Sequence, residues 1–246
     1  MNNICAIIIP IYKDKLDETE YNNVLNNISI LSNYDIFFIH PKSLDIKYYK
    51  KIFKNIQFKS VANKYFGSCE NYSILCCNPM FYKLFIKYEY MLICQTDAYV
   101  FKDELLYWCN KGYDYIGALS NCDPCILKQN IEKNNILRNN IIDKYNNIHC
   151  TLQGGLSLRK TKSLYNECLN KYNKKYTGIN LWEDYYICDT FNLNFPNNIF
   201  EIFEFSAENL DHINYIYPNY INHLPFGCHR NESKKLLKKI FNKYEN

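Results

Sequence analysis

Long apolar runs and a secretion signal are both missing from this sequence. No stretch of 18 or more apolar residues occurs in its 246 residues, so we predict no membrane-spanning helix. The first 15 residues lack a basic start and a small-residue cleavage site, and Pro10 breaks their apolar run. These features argue against a signal peptide. We therefore expect a cytoplasmic protein.

A glycine-rich nucleotide loop is also absent. After the first apolar run the chain reads Ile9-Pro-Ile-Tyr-Lys13 instead of G-x-G-x-x-G. That turn binds the pyrophosphate of dinucleotide cofactors, so its absence disfavours a dinucleotide-dependent oxidoreductase. There is no internal repeat and no Gly/Ser/Pro-rich linker, which favours one domain.

Cysteine is plentiful, but its spacing indicates neither a disulfide framework nor a zinc site. The 12 cysteines are scattered, and many lie inside apolar runs. Such cysteines are typical of reduced, buried side chains. Cys122 and Cys125 have C-x-x-C spacing, but no second pair completes a zinc knuckle.

Apolar residues make up 48% of the chain and aromatic residues 17%, enough for a packed core and too much for global disorder. The net charge of +4 is concentrated at the end of the chain. From Arg230 onward, the sequence contains six basic residues and two acidic ones. The body is therefore nearly neutral, which disfavours nucleic-acid binding.

Apolar runs alternate with segments of helical periodicity, and this order predicts a mostly parallel, doubly wound (Rossmann-like) α/β sheet with flanking helices. Pro79 should divide one of the helices. The predicted strands are residues 4–10, 34–39, 56–61, 90–94, 113–117 and 154–159; the predicted helices are 16–31, 46–53, 69–88, 161–171 and two that begin at 103 and 183.

Residues 120–150 interrupt the alternation. They are rich in Asn and Lys and contain one predicted helix, 131–145. We interpret them as an excursion or flap within a domain that spans residues 1–230. We predict that residues 231–246 form a separate basic, amphipathic C-terminal helix.

Four segments carry candidate functional residues. Asp97 follows the apolar strand 90–94, where ligands of parallel sheets bind, although a turn or cap would also use an Asp. Gly154 and Gly155 suit close backbone approach or a β-bulge. Glu183-Asp184 could supply a general base or stabilise a helix N-terminus. His229, in a Pro/Gly turn, could bind a metal or be structural.

Taken in order, these segments resemble the DUF5672 family, glycosyltransferase-like proteins of the GT-A fold. The resemblance covers residues 4–230 and is carried by these segments: Ile8-Ile-Pro-Ile-Tyr-Lys13, Gln95-Thr-Asp-Ala-Tyr-Val-Phe-Lys-Asp-Glu-Leu105, Tyr107-Trp-Cys109, Gly112-Tyr-Asp-Tyr-Ile-Gly-Ala118, Gly154-Gly-Leu-Ser-Leu-Arg-Lys160, Glu183-Asp184 and Leu224-Pro-Phe-Gly-Cys-His229.

The resemblance implies a nucleotide-sugar donor, UDP- or GDP-linked, bound at the carboxyl end of the sheet. Ile11 and Tyr12 would lie near the base, and Gln95-Thr-Asp97 would replace the usual D-x-D motif. Asp97 would then bind Mn²⁺ or Mg²⁺ with His229, and Gln95 would contact the ribose or sugar. With one carboxylate fewer, the metal site is weak, and metal-independent activity stays open.

The resemblance also implies the catalytic groups. Gly154 and Gly155 would line the donor sugar and acceptor, and Glu183-Asp184 would match a pair whose aspartate is the base. Asp184 would accept the proton of an acceptor hydroxyl, with inversion at the anomeric carbon. The alternative is a catalytically silent GT-A module that binds nucleotide sugar or glycan.

The basic C-terminal helix has two interpretations. It could dock on the body with its lysines in solvent. Alternatively, it could bind anionic lipid at the inner face of a membrane. The second suits an enzyme of surface-polysaccharide or lipid-linked glycan synthesis with a glycan or lipid-linked acceptor.

Overall fold

The computed structural model describes residues 4–120, 151–172, 182–197, 199–208 and 224–230. The predicted excursion with its helix 131–145, the Cys122/Cys125 pair and the predicted C-terminal helix 231–246 lie outside these ranges. Within them, no helix is both long and apolar enough to cross a membrane.

A six-stranded sheet in the order β3-β2-β1-β4-β7-β6 forms the centre of the fold. Strands β1 to β4 are mutually parallel where they pair, whereas β7 is antiparallel to both β4 and β6. The predicted mostly parallel sheet is therefore confirmed, with one reversed strand. Its strands are Cys5–Pro10 (β1), Asp35–Pro41 (β2), Gln57–Val61 (β3), Tyr90–Cys94 (β4), Tyr115–Ser120 (β6) and Thr151–Lys160 (β7).

Helices flank this sheet. Pro79 divides the predicted helix 69–88, as expected: its fixed φ suits the first turn of a new helix, and Asn78 caps it. The helices are Glu18–Ile30 (α1), Lys47–Ile52 (α2), Cys69–Cys76 (α3), Pro79–Lys83 (α4), Leu105–Asn110 (α5), Thr161–Tyr172 (α6), Glu183–Thr190 (α7) and Ile199–Phe205 (α8), with a 3₁₀ turn at Asn63–Phe66.

Both faces of the sheet are buried, which explains the continuous apolar strands. Side chains of β1 alternate between two cores: Ala6 and Ile8 pack on one face, and Ile7 and Ile9 on the other. The described cysteines are all free thiols, and most are buried. Their role as small core residues matches the prediction from their apolar surroundings.

A second, three-stranded sheet was not predicted. It consists of Tyr99–Val100 (β5), Ser206–Ala207 (β8) and Gly227–Cys228 (β9), in the order β5-β9-β8. Two-residue strands have no periodicity that a sequence could reveal. Because β9 pairs with β5, this small sheet brings the segment 224–230 beside the residues that follow β4.

Candidate active site

A cleft of about 760 Å³ opens at the carboxyl ends of β1 and β4. This edge of a parallel sheet is where such folds bind ligands. The residues that line the cleft come from the loops after β1 and β4, from α3, β7 and the start of α7, and from the segment after β9. They include Tyr12, Lys13, Gln95, Asp97, Gln153, Gly154, Gly155, Trp182, Glu183, Asp184, His229 and Arg230.

Asparagines of α1 hold the loop that carries Asp97. Asn27, buried beneath the loop, donates to the carbonyl of Ala98 at 2.8 Å and accepts from the backbone N–H of Val100 at 2.8 Å. Asn26 donates to the carbonyl of Val100 at 2.8 Å. The loop therefore has a fixed course even though it contains little regular structure.

Asp97, Gln95 and His229 converge in the cleft. Nε2 of His229 lies 3.5 Å from a carboxylate oxygen of Asp97 and 3.3 Å from the amide oxygen of Gln95. Burial alone would raise the pKa of Asp97, but the hydrogen bond and charge of His229, together with the charge of Arg230, outweigh it and lower the pKa. Asp97 is therefore poised to be a carboxylate.

This trio could supply part of a ligand set for a divalent cation. A carboxylate, an amide oxygen and an imidazole suit Mn²⁺ or Mg²⁺, the imidazole favouring the former. Across the described ranges, however, no group of three His, Cys, Asp or Glu side chains could hold a metal. The residues present fit a cation whose remaining ligands come from a bound phosphate or water.

Gly155 leaves the space that His229 occupies. A Cβ at this position would lie 2.0 Å from Nε2 of His229, far inside any tolerated contact. The backbone of Gly155 also accepts the N–H of Gln95 at 2.9 Å. Gly155 thus joins the loop after β4 to β7 and admits the imidazole between them.

Gly154 plays the corresponding role for Glu183. A Cβ there would lie 2.4 Å from a carboxylate oxygen of Glu183. That carboxylate is 3.5 Å from the guanidinium of Arg159, which is fully buried, and accepts a hydrogen bond from Ser73 at 2.9 Å. Arg159 also donates to Tyr82 at 3.0 Å. Glu183 is therefore held inside the protein by a paired cation, as a buried charge requires.

Asp184 is in a different environment from Glu183. Burial, followed by the charge of Glu183, raises the pKa of Asp184 to about 6. Its side chain accepts the backbone N–H of Tyr185 at 2.9 Å, and this hydrogen bond lowers the pKa less than burial raises it. A carboxyl group with a pKa near 6 can accept a proton at neutral pH and still be a stronger base than an ordinary aspartate.

Two cationic side chains also face the cleft. Lys13 is 2.8 Å from Glu20, whose other oxygen accepts from Thr96 at 2.8 Å, so Glu20 links the loops after β1 and β4. Arg230, half exposed, is 3.3 Å from Glu208. The backbone φ of Arg230 is 54°, in the left-handed region. This strained conformation sets the course of the chain directly after His229.

The structure brings together all but one of the side chains predicted for the site. Tyr12, Gln95, Asp97, Gly154, Gly155, Glu183, Asp184 and His229 all line the cleft. Ile11 is a correction: its side chain is 1% exposed and packs in a core, because alternation along the extended chain turns it away from Tyr12.

Sequence reasoning missed Arg159, Glu20 and the asparagines of α1. Arg159 ends the segment Gly154–Arg159, where a charge in an apolar strand was a usable signal for a buried pair. The asparagines gave none, since Asn is abundant throughout the chain.

The fold is that of GT-A glycosyltransferases. The galactosyltransferase LgtC, solved in complex with donor and acceptor sugar analogs, matches with a TM-score of 0.55 and 10% identity over 98% of this chain and 95% of that chain. The bifunctional glycosyltransferase WbbM, in its apo structure, matches with a TM-score of 0.50 and 10% identity over 98% of this chain and 51% of that one. At such low identity, the likeness establishes the fold alone.

Family membership is established separately. The family described as "Protein of unknown function (DUF5672)" matches residues 55–229, well over half of the chain. The chain belongs to the DUF5672 family. The family and the GT-A fold expected from the sequence are thus both confirmed. No curated protein matches the chain.

Proposed function

We propose that this protein is a glycosyltransferase that moves a sugar from a nucleotide-sugar donor to an acceptor hydroxyl with inversion. One observation carries the proposal: a single cleft contains both the Asp97–His229 pair and Asp184, whose pKa is raised to about 6. The first suits a diphosphate, and the second suits the activation of a hydroxyl. The GT-A fold supports this chemistry by analogy at the level of the fold.

On the donor side, Asp97, His229 and the amide oxygen of Gln95 would hold Mn²⁺ or Mg²⁺ against the diphosphate. A bound cation would neutralise charge on the leaving group. Arg230 faces the same region and would bind phosphate oxygens through its guanidinium, whose donor geometry matches them. Tyr12, exposed at the end of β1, would pack against the base or ribose.

On the acceptor side, Asp184 would accept the proton of the attacking hydroxyl. The acceptor oxygen forms a bond to the anomeric carbon as the bond from that carbon to the phosphate oxygen breaks. The electron pair leaves with the nucleoside diphosphate. Attack opposite the leaving group inverts the anomeric configuration. Glu183, neutralised by Arg159, would orient the start of α7 without taking the proton.

The test is nucleotide release from a panel of UDP-, GDP-, CMP- and TDP-sugars with Mn²⁺. Wild type should release one nucleoside diphosphate or monophosphate catalytically, and NMR of the product should show the opposite anomer. Asp97→Ala should lose Mn²⁺-dependent donor affinity in calorimetry. If Asp97→Ala turns over the donor at the same rate as wild type, Asp97 is not part of the donor site. A product of unchanged anomeric configuration would exclude inversion.

The incomplete metal set favours a second candidate, a silent module that binds nucleotide sugar or glycan. Only two of its proposed ligands are His or Asp, and the described residues supply no third. The same panel separates the two functions. Tight binding of a donor without release of nucleotide would support the silent module.

A further inference from the structure

We propose that Trp182 is a stacking platform for a pyranose ring of the acceptor, so that the acceptor is a saccharide. This inference rests on the proposed function and deepens it. Trp182 lines the cleft and directly precedes Glu183 and Asp184.

The place of Trp182 in the fold is unusual for tryptophan. It occupies the N-cap position of α7, with extended backbone angles, and its side chain makes no capping hydrogen bond. Ser, Thr, Asp or Asn at an N-cap stabilises a helix by about 1 kcal/mol relative to a residue that cannot cap. The carbonyl of Trp182 accepts the N–H of Tyr186 at 3.1 Å, as any residue here could, but its side chain does not cap the helix, which favours another role for the indole.

Trp182 is also unusually exposed. Its side chain is 49% exposed, although tryptophan is highly buried on average. The second tryptophan, Trp108, is 1% exposed and packs edge-on against Phe205 at 5.3 Å. An indole left open to solvent inside a cleft is an apolar surface that a ligand can cover.

The chemistry of the surrounding wall indicates which ligand. One face of a pyranose ring presents C–H groups that pack on an aromatic face, while its hydroxyls extend sideways toward polar partners. A ring resting on Trp182 would place hydroxyls beside Asp184, two residues along. An alkyl chain would cover the indole but offer no hydroxyl at that position. A sugar fits both features.

Among the described residues that line the cleft, Tyr12 is also an exposed aromatic residue. Tyr12 follows β1, and its ring lies 6.4 Å from that of Phe66. Trp182 lies on another element, at the start of the helix that carries Asp184. Two exposed aromatic side chains on different elements of one cleft suit two ligands, a nucleoside and a sugar.

The two tryptophans make the test direct. In a Trp108→Phe variant, Trp182 is the sole tryptophan, and its fluorescence reports on the cleft. We would titrate this variant with methyl α- and β-pyranosides of glucose, galactose and N-acetylglucosamine, and with cellobiose. At least one should shift or quench the emission saturably. Calorimetry with that saccharide should show a loss of tenfold or more in affinity for Trp182→Ala, and less than threefold for Trp182→Phe.

Binding of UDP and GDP in the presence of Mn²⁺ supplies the second readout. It should be the same in wild type, Trp182→Ala and Trp182→Phe. No spectral response to any saccharide, or equal saccharide affinity in Trp182→Ala, would overturn the inference, as would parallel loss of nucleotide binding. If wild type binds saccharide through Trp182 but binds no nucleoside diphosphate, the inference stands and the proposed function fails.

Discussion

At the residue scale, neighbouring acids differ because their surroundings differ. Glu183 has Arg159 and Ser73 as partners, so its charge is balanced inside the protein. Asp184 is buried and lies near the negative charge of Glu183, and both effects raise its pKa. In the proposed function, these two carboxyl groups, adjacent in sequence, therefore have different tasks, one structural and one chemical.

The pH dependence of turnover follows from Asp184. Because its pKa is about 6, the carboxylate that accepts the proton is lost as pH falls through that value. We expect the turnover number to be constant above pH 7 and to fall tenfold per unit below about pH 5.5. Asp184→Asn should lower turnover by 10²-fold or more at pH 7 and above, and the gap to wild type should narrow as pH falls below 6. The measurement is nucleotide release between pH 4.5 and 8.5 with the donor identified by the panel.

A folded Asp184→Asn variant with near-normal turnover would remove the base assignment. Asp189→Asn, on the same helix and not among the residues that line the cleft, is the matched control and should behave as wild type.

At the element scale, β7 is the strand that organises the site. Its consecutive glycines face opposite ways, as a period of two requires, so each accommodates a different functional side chain. A Cβ at Gly155 would collide with His229, and one at Gly154 with Glu183. One strand thus sets the spacing between the proposed donor and acceptor sides of the cleft.

The two glycines predict separable defects. Gly155→Ala should displace His229 and weaken Mn²⁺-dependent nucleoside diphosphate binding by tenfold or more, whereas Gly154→Ala should leave that affinity within threefold and reduce turnover instead. Calorimetry and nucleotide release distinguish them, with circular dichroism to verify folding. Equal effects of both variants on donor affinity would contradict the separation.

Helix α1 makes a further prediction about the loop that carries Asp97. Asn27→Ala would leave the buried N–H of Val100 and the carbonyl of Ala98 without partners, at a cost of about 2–4 kcal/mol. We expect that loss in urea denaturation, together with weaker donor binding. Asn22→Ala, which removes only a bond to the carbonyl of Glu18 on the same helix, is the control. Equal stability of the two variants would refute the role of Asn27.

The sequence predicts the elements of this fold better than it predicts their connections. Apolar runs such as Tyr90–Cys94 located the central strands, and Pro79 located a helix boundary. The reversed direction of β7 and the small sheet depend on pairing between distant segments, which local periodicity does not encode. For the same reason Asp97 and His229 could be proposed as partners only through a family resemblance, and Arg159 was missed altogether.

At the scale of the whole molecule, Asp184 lowers stability at neutral pH. Its folded pKa of about 6 exceeds its unfolded value of 3.8, so the native state binds more protons between these pH values. The free energy of unfolding therefore falls as pH rises from 4 to 6. Asp184→Asn, which cannot ionise, should be about 1–3 kcal/mol more stable than wild type at pH 7 and equally stable below pH 4.

Urea denaturation at pH 4 and pH 7, with EDTA present, tests this expectation. Asp97→Asn is the opposite control: the pKa of Asp97 is lowered, so its charge stabilises the native state above the unfolded pKa, and the variant should be less stable at pH 7. A destabilised Asp184→Asn at pH 7 would refute the prediction.

We expect the small three-stranded sheet to be less stable than the six-stranded sheet. β9 carries His229 beside Asp97 and pairs with β5, and each of these strands has two residues, against five to ten residues in each strand of the six-stranded sheet. On warming, the segment 224–230 should therefore separate from β5, and His229 should leave the cleft, before the six-stranded sheet unfolds. The protein would then lose activity reversibly at a temperature below that of denaturation. A bound donor would raise the temperature of this loss, because it would hold the segment 224–230 in place.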